Sequence, residues 1–180
     1  MKKLILLGGV LAGGKSTFSS ILRERFGVTV VNKDRLKEIL GDNIHTSNRE
    51  ENKKLSVISF EIMSYLLESG VGALVLESNF KDYELSTLRE KCDSLGFDVL
   101  SVVFDADDAV LHQRFQKRLG ENRHPVHKSQ DFTDINDFKP VLDELRCVKY
   151  FGRIINVDCT DFSYQQDESL YSLIEEFLNN

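Results

Sequence analysis

Tryptophan is absent from this sequence of 180 residues, proline occurs twice and cysteine three times. Cys92, Cys147 and Cys159 are odd in number and stand at no C-x-x-C or other metal spacing, which argues against a disulfide scaffold and for a reducing, cytoplasmic compartment. Apolar runs are short as well. None has the length that a bilayer crossing needs, so no membrane partner is expected. Positive charge is in deficit: 23 Lys and Arg against 29 Asp and Glu leave a net charge of −6. That balance counts against a broad nucleic-acid-binding surface, although a local basic groove stays open, and it favours a small substrate. The length suits one domain spanning residues 1–180 with a proper core. The opening MKKLILLGGVLAGG is not read as a secretion signal, because its apolar part runs into Gly-Gly-Lys-Ser and then a helical pattern, with no small-residue cleavage site.

What is present is a phosphate-binding loop. Gly9-Val10-Leu11-Ala12-Gly13-Gly14-Lys15-Ser16 fits G-x-x-x-x-G-K-[ST] at every required position, directly after the apolar run Leu4 to Leu7. Glycines let consecutive N–H groups turn inward onto phosphates, and the helix that follows adds the positive end of its dipole. Gly9, Ala12, Gly13, Gly14, Lys15, Ser16 and Thr17 are therefore the expected nucleotide-binding residues, with ATP and Mg2+ as cofactors. Lys15 is suited to the β- and γ-phosphates, and the Ser16 hydroxyl is a hard oxygen ligand for magnesium. Phe18, Ile21, Leu22 and Phe26 leave the loop at helical spacing.

Strands and helices alternate along the rest of the chain. The expected strands are Lys3 to Leu7, Val28 to Asn32, Val71 to Glu77, Asp98 to Asp105 and Arg153 to Asp158, mostly unalternating, as strands covered on both faces are. Helical stripes lie between and after them: Leu55, Ile58, Ile62, Tyr65 and Leu66; Leu85, Leu88, Cys92 and Leu95; Leu111, Phe115 and Leu119; Val141, Leu142 and Leu145; Leu170, Leu173, Ile174 and Phe177. This order predicts a three-layer α/β/α sandwich on a five-stranded parallel sheet, with its crevice at the carboxyl ends of the strands. Gly120 to Asn136 has little apolar periodicity and reads as a lid after the fourth strand.

Three further groups carry expected chemistry. Asp34, in Asn32-Lys33-Asp34-Arg35 after the second strand, is the candidate base for an attacking hydroxyl; the competing role is a helix cap, for Asp34 or Asn32. Lys37, one turn on, is expected to face the same crevice. Glu77 ends the third strand as a magnesium or water ligand, or as a polar strand end. Arg114 and Arg118, one helical turn apart, and Arg123 in the lid suit a transferring phosphoryl group, against the alternative of solvated surface charge. Two signals carry less. Asp105-Ala106-Asp107 lacks the residues that would make it an aspartyl-phosphate motif and reads as a strand end plus helix cap. His124 and His127 have no third ligand at zinc-like spacing, so a turn shaped by Pro125 is expected.

Taken together, GVLAGGKSTF, VNKDRLKE, VLESNF and VVFDADDAVLHQRFQKRLGENRHPVH resemble the small P-loop kinases grouped around polynucleotide kinase and zeta-toxin-like phosphotransferases, many of them labelled AAA-family ATPases. The likeness spans most of the chain. It implies the kinase-type strand order, ATP and magnesium at Lys15 and Ser16, activation of the acceptor hydroxyl by Asp34, and a phosphate contact from Arg118. Lys37 stands where the polynucleotide kinases usually carry arginine, and Glu77 replaces a more common aspartate. The expected reaction is transfer of the γ-phosphate of ATP to a hydroxyl of a small molecule such as a nucleoside, nucleotide sugar or antibiotic. A polynucleotide 5′-hydroxyl kinase and a regulatory NTPase are the alternatives. The acceptor pocket is expected from Ile44 to Leu55 and from Gln130 to Asn136.

Overall fold

Apolar runs without alternation become the centre of a parallel sheet, because helices cover both of their faces. The computed structural model describes residues 2–70, 72–120, 124–127 and 132–180. In chain order these form β1 (Lys2–Gly9), α1 (Lys15–Phe26), β2 (Thr29–Asn32), α2 (Lys33–Asn43), α3 (Arg49–Tyr65), β3 (Ala73–Glu77), α4 (Asp82–Leu95), β4 (Phe97–Asp105), α5 (Asp108–Gly120), α6 (Ile135–Arg146), β5 (Arg153–Asp158) and α7 (Glu168–Asn179). Short 3₁₀ turns occupy Leu66–Ser69, Pro125–His127 and Ser163–Gln166. The five strands pair in parallel in the order β2-β3-β1-β4-β5.

Successive residues of β1 feed opposite layers. Ile5 and Leu7 join Phe18 and Leu22 of α1 and Tyr171, Ile174 and Phe177 of α7. Leu4 and Leu6 join Phe60 and Met63 of α3 and Leu85, Leu88 and Cys92 of α4 on the other side. Each fully buried leucine or phenylalanine contributes roughly 1.5–3 kcal/mol, and the two layers together fix the sheet. A third cluster of Val10, Ala12, Leu111, Phe115, Phe138 and Leu142 seats the loop after β1 against α5 and α6.

Register decides where the site lies. Leu7 pairs with Glu77 and Asn32 also pairs with Glu77, so β3 sets its terminal carboxylate between the loop leaving β1 and the helix leaving β2.

Two sequence expectations need correction. The outer strands are not covered on both faces: in β5, Ile154 is exposed and only Val157 is buried, as an edge position permits. In α3 the expected core stripe is displaced. Leu55 is buried, but Ile58, Ile62 and Tyr65 are 36%, 38% and 65% exposed, while Phe60 and Met63 point inward. Two apolar stripes overlap on this helix, and the one that packs on the sheet carries Phe60 and Met63. Ser59 joins them at no polar penalty, since its hydroxyl donates to the Leu55 carbonyl at 2.7 Å.

The expected lid is only partly within the described residues; 121–123, including Arg123, and 128–131 lie outside them. Residues 124–127 dock on α2 and α3. Val126 is buried beside Gly41, its carbonyl accepts from Asn52 Nδ2 at 3.0 Å and Lys37 Nζ at 3.4 Å, and His124 Nε2 lies 2.9 Å from Asp42. Asp107 caps α5 through its bond from the Ala109 amide, as expected of a strand end plus cap. Among the described residues no cluster of three His, Cys, Asp or Glu could hold a metal ion, and no helix is long and apolar enough to cross a membrane.

Candidate active site

The loop between β1 and α1 holds a backbone that most residues avoid. Gly9 and Gly14 have φ of 103° and 84°, and Ala12 reaches 59°, where a non-glycine residue carries strain of roughly 1–3 kcal/mol. Close packing enforces the path. A Cβ on Gly9 would lie 2.1 Å from the Phe104 carbonyl oxygen, and one on Gly14 would lie 2.2 Å from the Tyr164 hydroxyl. Tyr150, whose hydroxyl burial pushes up to about 12, accepts the Gly9 N–H at 2.7 Å. Gly9 is thereby braced from behind, with its amide bonded to a tyrosine.

The loop frames a cavity of about 670 Å³ lined by Ala12, Gly13, Gly14, Lys15, Ser16, Asp34, Glu77, Asn79 and Arg118, among others. Gly9 and Thr17 are not among its walls; the Thr17 amide is held by the Gly14 carbonyl at 3.1 Å. Lys15 is only 7% exposed and donates to the Val10 carbonyl at 2.5 Å. Burial brings its pKa down from 10.5 to about 8; Glu77 and Asp34 pull it back up, and Arg118 pushes it further down. These four side chains, far apart in sequence, thus share one electrostatic site.

A testable consequence follows from Lys15. Its charged form is disfavoured in the free protein, so above about pH 8 the side chain is largely neutral, whereas the unfolded chain keeps it charged up to 10.5. Free-protein stability therefore gains from this group as pH rises through that window. A bound triphosphate favours the ammonium and reverses the shift. Nucleotide binding just above pH 8 should take up a proton, and affinity should fall as pH rises further. Calorimetry in two buffers of different ionisation enthalpy reads this directly; a binding heat that ignores the buffer would contradict it.

Ser16 and Glu77 meet. The Ser16 hydroxyl bonds Glu77 Oε1, and Ser19 donates to Oε2 at 2.7 Å, which holds a carboxylate only 4% exposed in a fixed rotamer. An all-oxygen pair of this kind fits magnesium, which takes one or two protein oxygens and completes its shell with water and phosphate.

The cap of α2 is Asn32, whose Oδ1 accepts the Arg35 amide at 2.9 Å. Asp34, in the first turn, is left exposed to the crevice. It lies on the boundary with a second cavity of about 540 Å³, and Leu11, Asp34, Ser78, Asn79 and His127 line both. Lys37 faces this second cavity only. The second cavity draws Arg49, Asn52 and Lys53 from the expected segment Ile44 to Leu55, but none of 132–136 from the other expected segment lines it and 130–131 lie outside the described residues; the rest of its lining includes the start of α4 and Val141, Glu144 and Leu145 of α6.

Arg118 lines the first cavity, whereas Arg114 is placed elsewhere. Its guanidinium donates to the Cys159 and Thr160 carbonyls at 2.7 and 2.8 Å and stacks 3.6 Å from the Phe162 ring centroid. The i to i+4 spacing gives a shared helical face, but the loop after β5 reaches only the first of the two arginines.

Sequence reasoning did not find Lys33 and Glu84. This buried pair ties the start of α2 to the start of α4, and Glu84 Oε2 also accepts the Lys81 amide at 3.1 Å. Nor did it find Tyr150 and Tyr164, which brace the loop from beyond β4. No local pattern marks any of them.

Strand order, phosphate loop and a carboxylate ending the strand beside it define a P-loop kinase-type fold. The chain belongs to the AAA domain family, whose model matches residues 4–138. No curated protein matches it in sequence. Among solved structures, it resembles a candidate kinase from Chloroflexus aurantiacus J-10-fl, with 22% identity over 98% of either chain and a TM-score of 0.79. It is also similar to an APS kinase of Mycobacterium tuberculosis in complex with AMPPNP and APS (17% identity, 97% of this chain and 98% of that one, TM-score 0.59). A gluconokinase from Sinorhizobium meliloti 1021 is similar at 16% identity, over 96% of this chain and 97% of its own, with a TM-score of 0.55. At these identities the likeness is one of fold.

Proposed function

We propose that the protein is a phosphotransferase that moves the γ-phosphate of ATP to a hydroxyl group of a small molecule. The observation that carries this reading is the junction of two cavities at Asp34, one built around the phosphate loop and the other large enough for a small acceptor. In this reading the amides of residues 13–16 and Lys15 hold the triphosphate, and Ser16 and Glu77 would hold magnesium, which supplies neutralising charge when bound. Asp34 accepts the proton of the attacking hydroxyl. Arg118 faces the oxygens of the transferring group, where a planar fork pairs with charge that spreads in the transition state. The structure of the likened APS kinase contains the nucleotide analogue AMPPNP, which supports ATP as donor here.

The test uses ATP radiolabelled at its γ-phosphate with a panel of hydroxyl compounds, for the wild type and Lys15→Ala. Label is expected on an acceptor with the wild type and not with the variant. Hydrolysis without an acceptor, responding only to an added protein, would replace this reading with a regulatory NTPase.

A further inference from the structure

The second cavity is polar in a particular way. Arg49 and Lys53 stand one turn apart on α3, Lys81 immediately precedes α4, and all three line the cavity. Among the described residues none of the three forms an ion pair with a carboxylate, although the chain as a whole is acidic. Their positions are locally unfavourable. Arg49 opens α3 and Lys81 precedes α4 as its cap residue, and a cation at a helix N-terminus opposes the dipole. The first turns also carry Glu50 and Glu51 on α3 and Asp82 and Glu84 on α4, which suit the dipole, and local rules are broken chiefly at functional sites. Asp82 and Glu144 also line it, but Asp82 Oδ1 is engaged by the Lys149 amide at 3.0 Å.

The same walls hold acceptors that want donors. Asn52 gives its Nδ2 to the Val126 carbonyl at 3.0 Å and leaves Oδ1 buried with no partner; Asn79 Oδ1 is buried and unpartnered too. With the Asp34 carboxylate, three acceptor groups line the same cavity as the three cations. Hydroxyl groups are donors that such acceptors take, with a small turn of each amide toward the ligand. Arg49, Lys53 and Lys81 are exposed, and three like charges gathered at one cavity attract an anion.

We infer that the second cavity binds a small polyhydroxylated anion, a sugar or polyol bearing a phosphate or carboxylate group. This inference rests on the kinase reading for what happens next: one hydroxyl of that ligand is the acceptor. Its oxygen forms the new bond to the γ-phosphorus as the bond from that phosphorus to the β–γ bridging oxygen breaks. ADP leaves with the electron pair, and the hydroxyl proton passes to Asp34. Arg49, Lys53 and Lys81 hold the anionic end, which selects against neutral alcohols.

Binding is tested without nucleotide, by calorimetry with gluconate, ribose 5-phosphate, glucose and a 5′-hydroxyl oligonucleotide. The probe that binds and is weakened by Arg49→Ala with Lys53→Ala, by about 10- to 100-fold as for lost charge-assisted bonds, identifies the anionic group as carboxylate or phosphate. ATP affinity of the double variant reports that it is folded. Glucose binding as tightly as the anions, indifferent to the double variant, would overturn the inference, as would preference for the oligonucleotide or no binding at all. The same probes are then offered with labelled ATP. Binding of an anionic sugar without any transfer would sustain the cavity assignment and refute the kinase reading, and transfer to neutral alcohols alone would do the reverse.

Discussion

Replacing Arg118 with alanine is expected to lower turnover by about 10³- to 10⁵-fold, the span over which arginines that stabilise transferring phosphate act, while ATP affinity changes far less. The expectation comes from placement. Arg118 lines the phosphate cavity and lies close enough to Lys15 to press its pKa down, so it already shares the site where charge grows. Arg118→Lys should restore little, because an ammonium lacks the fork that engages two oxygens at once. Single-turnover labelling separates the chemical step from binding. An alanine variant with wild-type turnover would reduce Arg118 to solvated surface charge. A second signature is independent of catalysis: without Arg118, the proton uptake linked to Lys15 should move to higher pH, since the guanidinium is one of the influences holding that pKa low.

The second large effect is expected at Asp34. Asp34→Asn should lower transfer by about 10²- to 10⁴-fold, the usual contribution of a positioned general base, with ATP affinity close to wild type. Loss of fold would not explain such a drop. Asn32 already caps α2, so the substitution removes only a favourable charge from the first helical turn, an effect of about 0.3–1 kcal/mol at the surface. Chemical denaturation of the variant checks that figure, and the labelling assay reads the rate. Full activity of Asp34→Asn with its preferred acceptor would leave Asp34 as a surface carboxylate. Because Asp34 also raises the Lys15 pKa, the variant should take up its proton on nucleotide binding at slightly lower pH than the wild type.

Both predictions join residues that the sequence marks to distances it does not contain. Gly9 to Ser16 is legible because a phosphate loop is local: the glycine spacing, the strand before it and the helix after it lie within one short stretch. Strand positions are legible for a similar reason, since a strand reads as a short apolar or β-branched run, and all five expected strands are present with ends shifted by a few residues, although only the inner three are covered on both faces. The Asn32 cap competes with Asp34 only on paper; a backbone amide at 2.9 Å settles which of them caps.

Tertiary structure alone decided the rest. The face that α3 buries depends on the sheet it meets, and the sheet prefers Phe60 and Met63 to the equally periodic Ile58 and Ile62. Which of Arg114 and Arg118 reaches the crevice depends on a loop more than forty residues further on, whose carbonyls and Phe162 take the first. The bond that Tyr150 accepts from the loop and the one that Tyr164 donates to it span 141 and 150 residues, and no short-range pattern encodes them. Arg49, Asn52 and Lys53 of the second cavity fall in the expected segment Ile44 to Leu55, whereas the lining from α4 and α6 follows from no local pattern. Sequence by itself determined the chemistry of the loop and the layering of the fold, since both follow from spacing along the chain. The full lining of the second cavity came only with folding, because a pocket is a set of directions in space, and those are fixed by packing between segments that are distant in sequence.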